Sequence, residues 1–497
     1  MHKIRIISIT FILFLFSSVA IPAENISIHK RIDQLILARD FQKAEEEANA
    51  AYEKNPNDPE TICAKACVYR NMAYKSRVQI DLAKLGIKEG QGGTAVLTPE
   101  INVKEVFKDT YYYDRDIFSK AEPLYYKIIE IDKNYNNAYF NLLNTYMYME
   151  DFEKYFKVID LFIKNQKTND DCKKFLLDLA GKLSKRKSYK QAEDLYLVIL
   201  KNYPDYTYAK SDLGAVYASI GEIEKAGLLF KEVYDKDPKD LINSDNLSKT
   251  YIAQENFSDA YNVTLSILKG KDSDYYSYFI AGQLAYLLGK DYSGHFNKCI
   301  EIGREEVKGE RKDFFIEVSK IYLEFSKLSE NDKLEFLNRI LIQLFENNCH
   351  YDSIITANII LKIRNEKNPL LILGATFDNK LNYPQKALEY LDRINEYAKS
   401  DPTIMKPYDL NYNYARSYYN LKKYDEAIKY LTKNLEERKD DAKILYTIGI
   451  AYRDKNDIEN ACKYFTMCGE LNDKEKMHDI NAAIREAAFL ECYRYKE

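Results

Sequence analysis

Tryptophan is absent from the 497-residue chain, and glycine (17) and proline (11) are scarce. Composition of that kind excludes long Gly/Pro-rich linkers and low-complexity segments. Basic excess is missing too: 73 Lys and Arg stand against 77 Asp and Glu, a net charge of −4. A protein that tracks phosphate backbones needs a basic stripe, so no nucleic acid is expected as partner. The five histidines, His2, His29, His295, His350 and His478, are scattered, and none has a partner at a metal-ligand spacing such as His-Glu-x-x-His. No Gly-x-Ser-x-Gly elbow occurs, and the abundant acids read as solvated helix faces, so no catalytic residue, metal or cofactor is expected. Long apolar runs are missing apart from Ile6 to Phe16, which is short for a membrane span. What the chain has in plenty is tyrosine, 44 residues, which supplies bulk with a polar tip for half-buried helix contacts.

Three consecutive 34-residue blocks between residues 173 and 274 repeat one pattern. In the block from Thr207, Lys210, Leu213, Gly214 and Tyr217 follow i, i+3, i+4, i+7 spacing and share one face of a first helix. Ala226, Phe230 and Val233 define a second helix, which Asp237-Pro238 ends because proline cannot continue a helix interior. Gly214 and Ala226 are the small members that let the two helices approach, while Tyr217 and Phe230 fill the space beside them. The preceding block carries Leu176, Leu179, Ala180 and Leu183, then Ala192, Tyr196 and Ile199; the following one carries Leu247, Ser248 and Tyr251, then Ala260, Thr264 and Ile267. A pair this short cannot bury its apolar stripe alone, so stacking of neighbours must supply the core.

The pattern resembles the tetratricopeptide repeat, with Leu or Tyr where that pattern has tryptophan. The resemblance implies an all-α fold, an α-solenoid of about ten to eleven helix-turn-helix repeats forming a right-handed superhelix, in which the first helix of each pair lines a concave groove. Lys3 and Arg5, the apolar run, and the small residues through Ala20 to Ala23 have the layout of a secretory signal over residues 1–23. The solenoid is expected over 24–475, and residues 476–497 as a charged capping helix. Its first repeat has Ile28, Ile32 and Leu35, then an alanine-rich second helix with Ala44, Ala48 and Ala51, suited to a terminal cap. An insertion at 77–116 separates the two helices of the second repeat and reads as helical extensions around a loop with Gly90, Gly92, Gly93 and Pro99. Such an insertion projects from the stack and often lies on a binding face. In the irregular segment 307–366, Phe314 to Leu328, Leu334 to Phe345 and Ile354 to Ile363 make three apolar helices, an odd number for a pairwise stack. Either one pair is degenerate or the stack bends there.

Eight cysteines in an exported chain meet an oxidising compartment. Cys63 and Cys67 lie one helical turn apart and read as packing thiols, since two thiols without a second pair make only half a metal site. A bridge from Cys468 to Cys492 would staple the terminal helix. In the register the resemblance implies, Asn144, Tyr148, Asp245, Lys249, Tyr412, Arg416, Tyr419, Tyr446 and Arg453 face the groove. The Lys and Asn set with which some members of the family clamp a C-terminal carboxylate is not reproduced in adjacent repeats. The expected function is a non-catalytic protein-protein interaction scaffold of the cell envelope, periplasmic or secreted, holding a protein or peptide segment in that groove. The alternatives are a glycan- or muropeptide-binding solenoid, an accessory scaffold of an envelope enzyme complex, and a chain anchored in the membrane by an uncleaved N-terminal segment.

Overall fold

The computed structural model describes residues 27–80, 107–167, 170–270, 274–305, 310–400, 403, 405–471, 477–490 and 492. The signal assigned to residues 1–23 and the centre of the insertion, 81–106, lie outside the described residues. The chain divides into two compact units, Met1–Phe175 and Leu176–Glu497. Each is built of helix pairs, so the fold is an all-α solenoid, with one two-stranded antiparallel ladder among the described residues.

In the first unit, α1 (Ile28–Leu37) and α2 (Phe41–Lys54) start where the side chains of Ser27 and Asp40 accept hydrogen bonds from the backbone N–H groups of Lys30 and Lys43. α3 (Pro59–Ala73) packs against α4 (Arg115–Ile131), although the insertion separates them in sequence. α5 (Asn136–Met149) and α6 (Phe152–Gln166) form the next pair. The described ends of the insertion correct the expectation of helical extensions. β1 (Tyr74–Ile80) and β2 (Phe107–Tyr113) form an antiparallel ladder from Tyr74↔Tyr113 to Ile80↔Phe107. The physical reason is a change of period: Tyr74, Val78 and Ile80 alternate with Lys75, Arg77 and Gln79, a two-residue repeat that fits a pleated strand and not a helix face.

α7 (Asp170–Lys185) spans the boundary between the units and precedes α8 (Tyr189–Asn202). Then come α9 (Thr207–Ser219) with α10 (Ile223–Lys236), α11 (Leu241–Ala253) with α12 (Phe257–Ile267), and α13 (Tyr275–Leu288) with α14 (Ser293–Glu305). α15 (Glu310–Glu324), α16 (Glu330–Glu346) and α17 (His350–Ile363) are the three helices of the irregular segment. α18 (Lys367–Ala375), prolonged by a π-helical turn at Thr376–Lys380, pairs with α19 (Pro384–Ser400). α20 (Pro407–Asn420) with α21 (Tyr424–Glu437), and α22 (Ala442–Asp454) with α23 (Ile458–Gly469), complete the stack under α24 (Met477–Phe489).

One backbone feature sorts these helices into repeats. The turns after α1, α5, α7, α9, α11, α13, α16, the π-helical turn, α20 and α22 each hold a residue of positive φ: Arg39, Glu150, Lys187, Gly221, Glu255, Gly289, Asn348, Asn382, Lys422 and Asn456. A non-glycine residue there costs about 1–2 kcal/mol, and closure of the helix end offsets it. The next N–H reaches back to a carbonyl of the last turn, as in Asn256 N to Tyr251 O at 2.8 Å and Asp457 N to Tyr452 O at 2.9 Å. The odd helix is therefore α15, because Asn348 marks α16 and α17 as a pair. With the interrupted α3–α4 pair, the described residues hold eleven pairs, within the range the repeat pattern predicts.

The small positions act as expected. A Cβ built on Gly214 would stand 2.8 Å from the Phe230 ring, one on Gly282 2.6 Å from Phe296, and one on Gly449 2.5 Å from Phe465. At the C-terminal end the bridge is Cys462–Cys492, with Cα atoms 5.1 Å apart, which corrects the pairing of Cys492 with Cys468. Cys468 shares the stripe of Ala461 and Phe465, and its buried thiol donates to Ala442 O at 3.3 Å. Cys462 sits one residue from Ala461, about 100° round the helix, and so reaches the segment after α24.

Candidate binding groove and thiol–imidazole cluster

Four of the nine residues assigned to the groove come together. α20 contributes Tyr412, Arg416 and Tyr419, and α22 contributes Tyr446, to one pocket of about 200 Å³ completed by Ala415, Leu431, Thr447 and Ile450. The two helices are first members of consecutive repeats, so side chains one turn apart on each wall the same trough. Lys443 Nζ lies over the Tyr412 ring, 3.9 Å from its centroid, and fixes that wall. The Tyr419 hydroxyl donates to Asp454, and burial together with that carboxylate pushes its ionisation upward, so the phenol stays protonated. Arg416 pairs with Asp378 of the π-helical turn, whose carboxylate also accepts a hydrogen bond from Ser417 Oγ at 3.2 Å. Burial raises the Asp378 pKa, and the Arg416 charge opposes that shift. The guanidinium is thus oriented at the rim while part of it stays exposed. The pocket is an apolar cup with phenol and guanidinium groups at its edge, a shape that takes one bulky side chain.

The other assigned residues stand elsewhere. Arg453 bonds Asp454 at 2.9 Å and Glu486 of α24 at 2.8 Å, and so ties down the terminal helix. Asp245 and Lys249 pair with each other at 2.5 Å, and the Lys249 ammonium sits 6.0 Å from the ring centroid of Tyr351 on α17. α17 packs on α11 and α13, the helices expected to line the groove there. Its contacts run along its length: Tyr276 Oη donates to Asp352 at 2.8 Å, Gln283 Nε2 to Thr356 Oγ1 at 3.0 Å, and Lys362 Nζ to the Leu287 carbonyl at 2.6 Å. Asn358, Lys386 and Tyr390 converge on Glu255. The chain itself covers most of this stretch of its trough, leaving a pocket of about 20 Å³ lined by Asp245, Lys249, Tyr276 and Tyr351, and no periodicity in the sequence signals that covering. In the first unit, Asn144 is half-buried and Tyr148 lies with its ring 6.2 Å from that of Tyr113 at the foot of the ladder.

A second constellation escaped the sequence reading. His29 on α1 joins Cys63 and Cys67 on α3, with one ligand atom of each all within 4.8 Å of one another. Both thiols are buried, and their sulfurs are 3.9 Å apart. The hydrogen bond from Cys63 pulls the Cys67 thiol down against the opposing effect of burial, and the hydrogen bond from Tyr125 adds to it. Cys63 moves the opposite way.

No family model matches the chain, and no curated protein does. Solved structures with some likeness include MamA (41-end) from Desulfovibrio magneticus RS-1, 16% identical, covering 35% of this chain and 97% of that one with a TM-score of 0.28. Pseudomonas aeruginosa PilF is 15% identical over 42% of this chain and 89% of its own, with a TM-score of 0.29. A tetratricopeptide repeat protein from Parabacteroides merdae is 11% identical over 63% and 98%, with a TM-score of 0.23. At such scores these likenesses carry no argument about this chain, and its architecture stands on the helix pairs themselves.

Proposed function

We propose that the chain is a non-catalytic interaction scaffold that binds a protein or peptide segment by inserting one bulky side chain between α20 and α22. The observation that carries this reading is the pocket of Tyr412, Arg416, Tyr419 and Tyr446. Aromatic and guanidinium groups around an apolar cup are the usual anchors of a binding surface. A stack of repeats holds such a cup rigid and spends little ordering entropy on binding. Surface complementarity is the mechanism such a cup supports. The layout of residues 1–23 supports export, and the place of work is the periplasm or the exterior, within the cell envelope. Among the described residues no helix is long and apolar enough to cross a membrane.

Selection from a random peptide library on the full chain tests the reading. Enriched peptides should share one large apolar or aromatic residue and lose binding to the Tyr412→Ala/Arg416→Ala/Tyr419→Ala variant while its helical signal is kept. Enrichment that survives this variant, or binding of muropeptides and no peptide, would count against it.

A further inference from the structure

We propose that His29, Cys63 and Cys67 form a binding site for one thiophilic d10 cation, zinc(II) or copper(I). The two cysteines stand at i and i+4 on α3, so both thiols leave the same face of that helix. α1 packs across that face and brings the imidazole to them. Two thiolates each about 2.3 Å from one ion stand roughly 3.8 Å apart in a tetrahedron and about 4.0 Å apart in a trigonal plane. The sulfurs here are 3.9 Å apart, so the pair needs little movement to share an ion.

The imidazole carries an independent sign of a ligand. Nδ1 of His29 is buried and has no hydrogen-bond partner, an arrangement that costs desolvation unless a ligand takes the lone pair. The other nitrogen, Nε2, is 3.9 Å from the Asp33 carboxylate, one turn along α1. At that distance the two are not hydrogen-bonded, but a small side-chain rotation would bring the carboxylate behind the imidazole, a common support for a metal-bound histidine. Around the sulfurs, Tyr125 Oη lies 3.5 Å and Asn141 Nδ2 3.8 Å from Cys67 Sγ, both able to donate to a thiolate. Two sulfurs and one nitrogen favour soft cations over calcium or magnesium. Three protein ligands suffice for trigonal copper(I) and leave zinc(II) one position for water or another small ligand.

The site also has something to hold. Beneath it the terminal core is small, built from Ile32, Ala44, Ala48, Ala64 and Val68. An ion shared by α1 and α3 clamps α1 to the helix it packs against.

The experiment uses the full chain, reduced and stripped of metal by chelation, and titrates zinc(II) and copper(I) separately against competing chelators, with cobalt(II) as the spectroscopic probe. One equivalent should bind and give thiolate-to-cobalt charge-transfer absorption. Cys67→Ser should abolish that absorption, His29→Gln should weaken binding at least about tenfold, and Cys299→Ser should leave it unchanged. Binding of either ion with this dependence supports the site and names the metal. Binding of neither, or equal affinity in the His29 and Cys67 variants, overturns it. If Cys67→Ser fails to fold, His29→Gln on the half-exposed α1 and X-ray absorption of the loaded wild type decide: two sulfurs and a nitrogen support the site, a shell of light atoms alone overturns it.

Discussion

Substituting alanine for Gly449 and for Gly181 should shift stability in opposite directions. Gly449 lies inside α22, and a Cβ there would stand 2.5 Å and 2.6 Å from Cε1 and Cδ1 of Phe465, about an ångström short of ordinary contact. The ring has nowhere to go: Phe465 is fully buried among Ala442, Leu445, Ala461, Cys468 and Ala483. α22 and α23 must part, and overpacking of this kind costs about 1–3 kcal/mol. Helix propensity returns about 1 kcal/mol, since alanine is the better helix former. The net is a loss of roughly 0–2 kcal/mol. Gly181, also within a helix, has no atom within 4 Å of its would-be Cβ, so only the propensity gain of about 1 kcal/mol remains. Urea titrations followed by far-UV circular dichroism should therefore separate the two variants by about 1–3 kcal/mol. A Gly449→Ala protein more stable than wild type, or a Gly181→Ala protein less stable, would refute the idea that these glycines divide into packing and non-packing sites.

Three further expectations concern the rest of the molecule. Thiol titration of the denatured chain should find six thiols without reductant and eight with it, and Cys462→Ser should loosen the C-terminal helix by about 3–4 kcal/mol, the entropy of a loop closed over 30 residues. Glu255→Ala takes the acceptor from the Tyr390 hydroxyl and one of the two carboxylates from Lys386, which is only 16% exposed and keeps Glu389 at 2.7 Å; it should cost about 1–3 kcal/mol, read as faster amide exchange in α17 and α19. Burial lowers the pKa of both His295 and His350, so folding disfavours their protonation. Stability from these sites is present above about pH 6.5 and falls as the pH drops through the folded-state values, and a His295→Gln/His350→Gln variant should show a flatter dependence of Tm on pH between 7 and 5.

The repeat was readable because it is local. A 34-residue spacing of Ala192, Ala226 and Ala260 needs no knowledge of distant contacts, and Gly214 opposite Phe230 follows from helical period alone. The pocket was half readable for the same reason: Tyr412, Arg416 and Tyr419 share a face of one helix, and Tyr446 follows one repeat later. What escaped is what depends on pairing across the chain. α17 reads as one more apolar helix, and nothing in its pattern says that it turns back onto α11 and α13. His29 is 34 residues from Cys63, on a different helix, so no motif spacing joins them. Cys462 and Cys468 differ by six residues on one helix, and only their direction around the axis decides which one meets Cys492. The strand at Tyr74 carried its own signal in alternation, masked by the helix that runs directly into it.

The trough between α20 and α22 is the place proposed for another chain to dock. A photo-reactive residue placed at Thr447, and for comparison at Tyr208, which is 69% exposed on α9, tests this in the native compartment. Irradiation should give one discrete adduct from position 447, competed by a peptide selected on the pure protein, and none from position 208. Equal adducts from both positions, or none from 447, would contradict it.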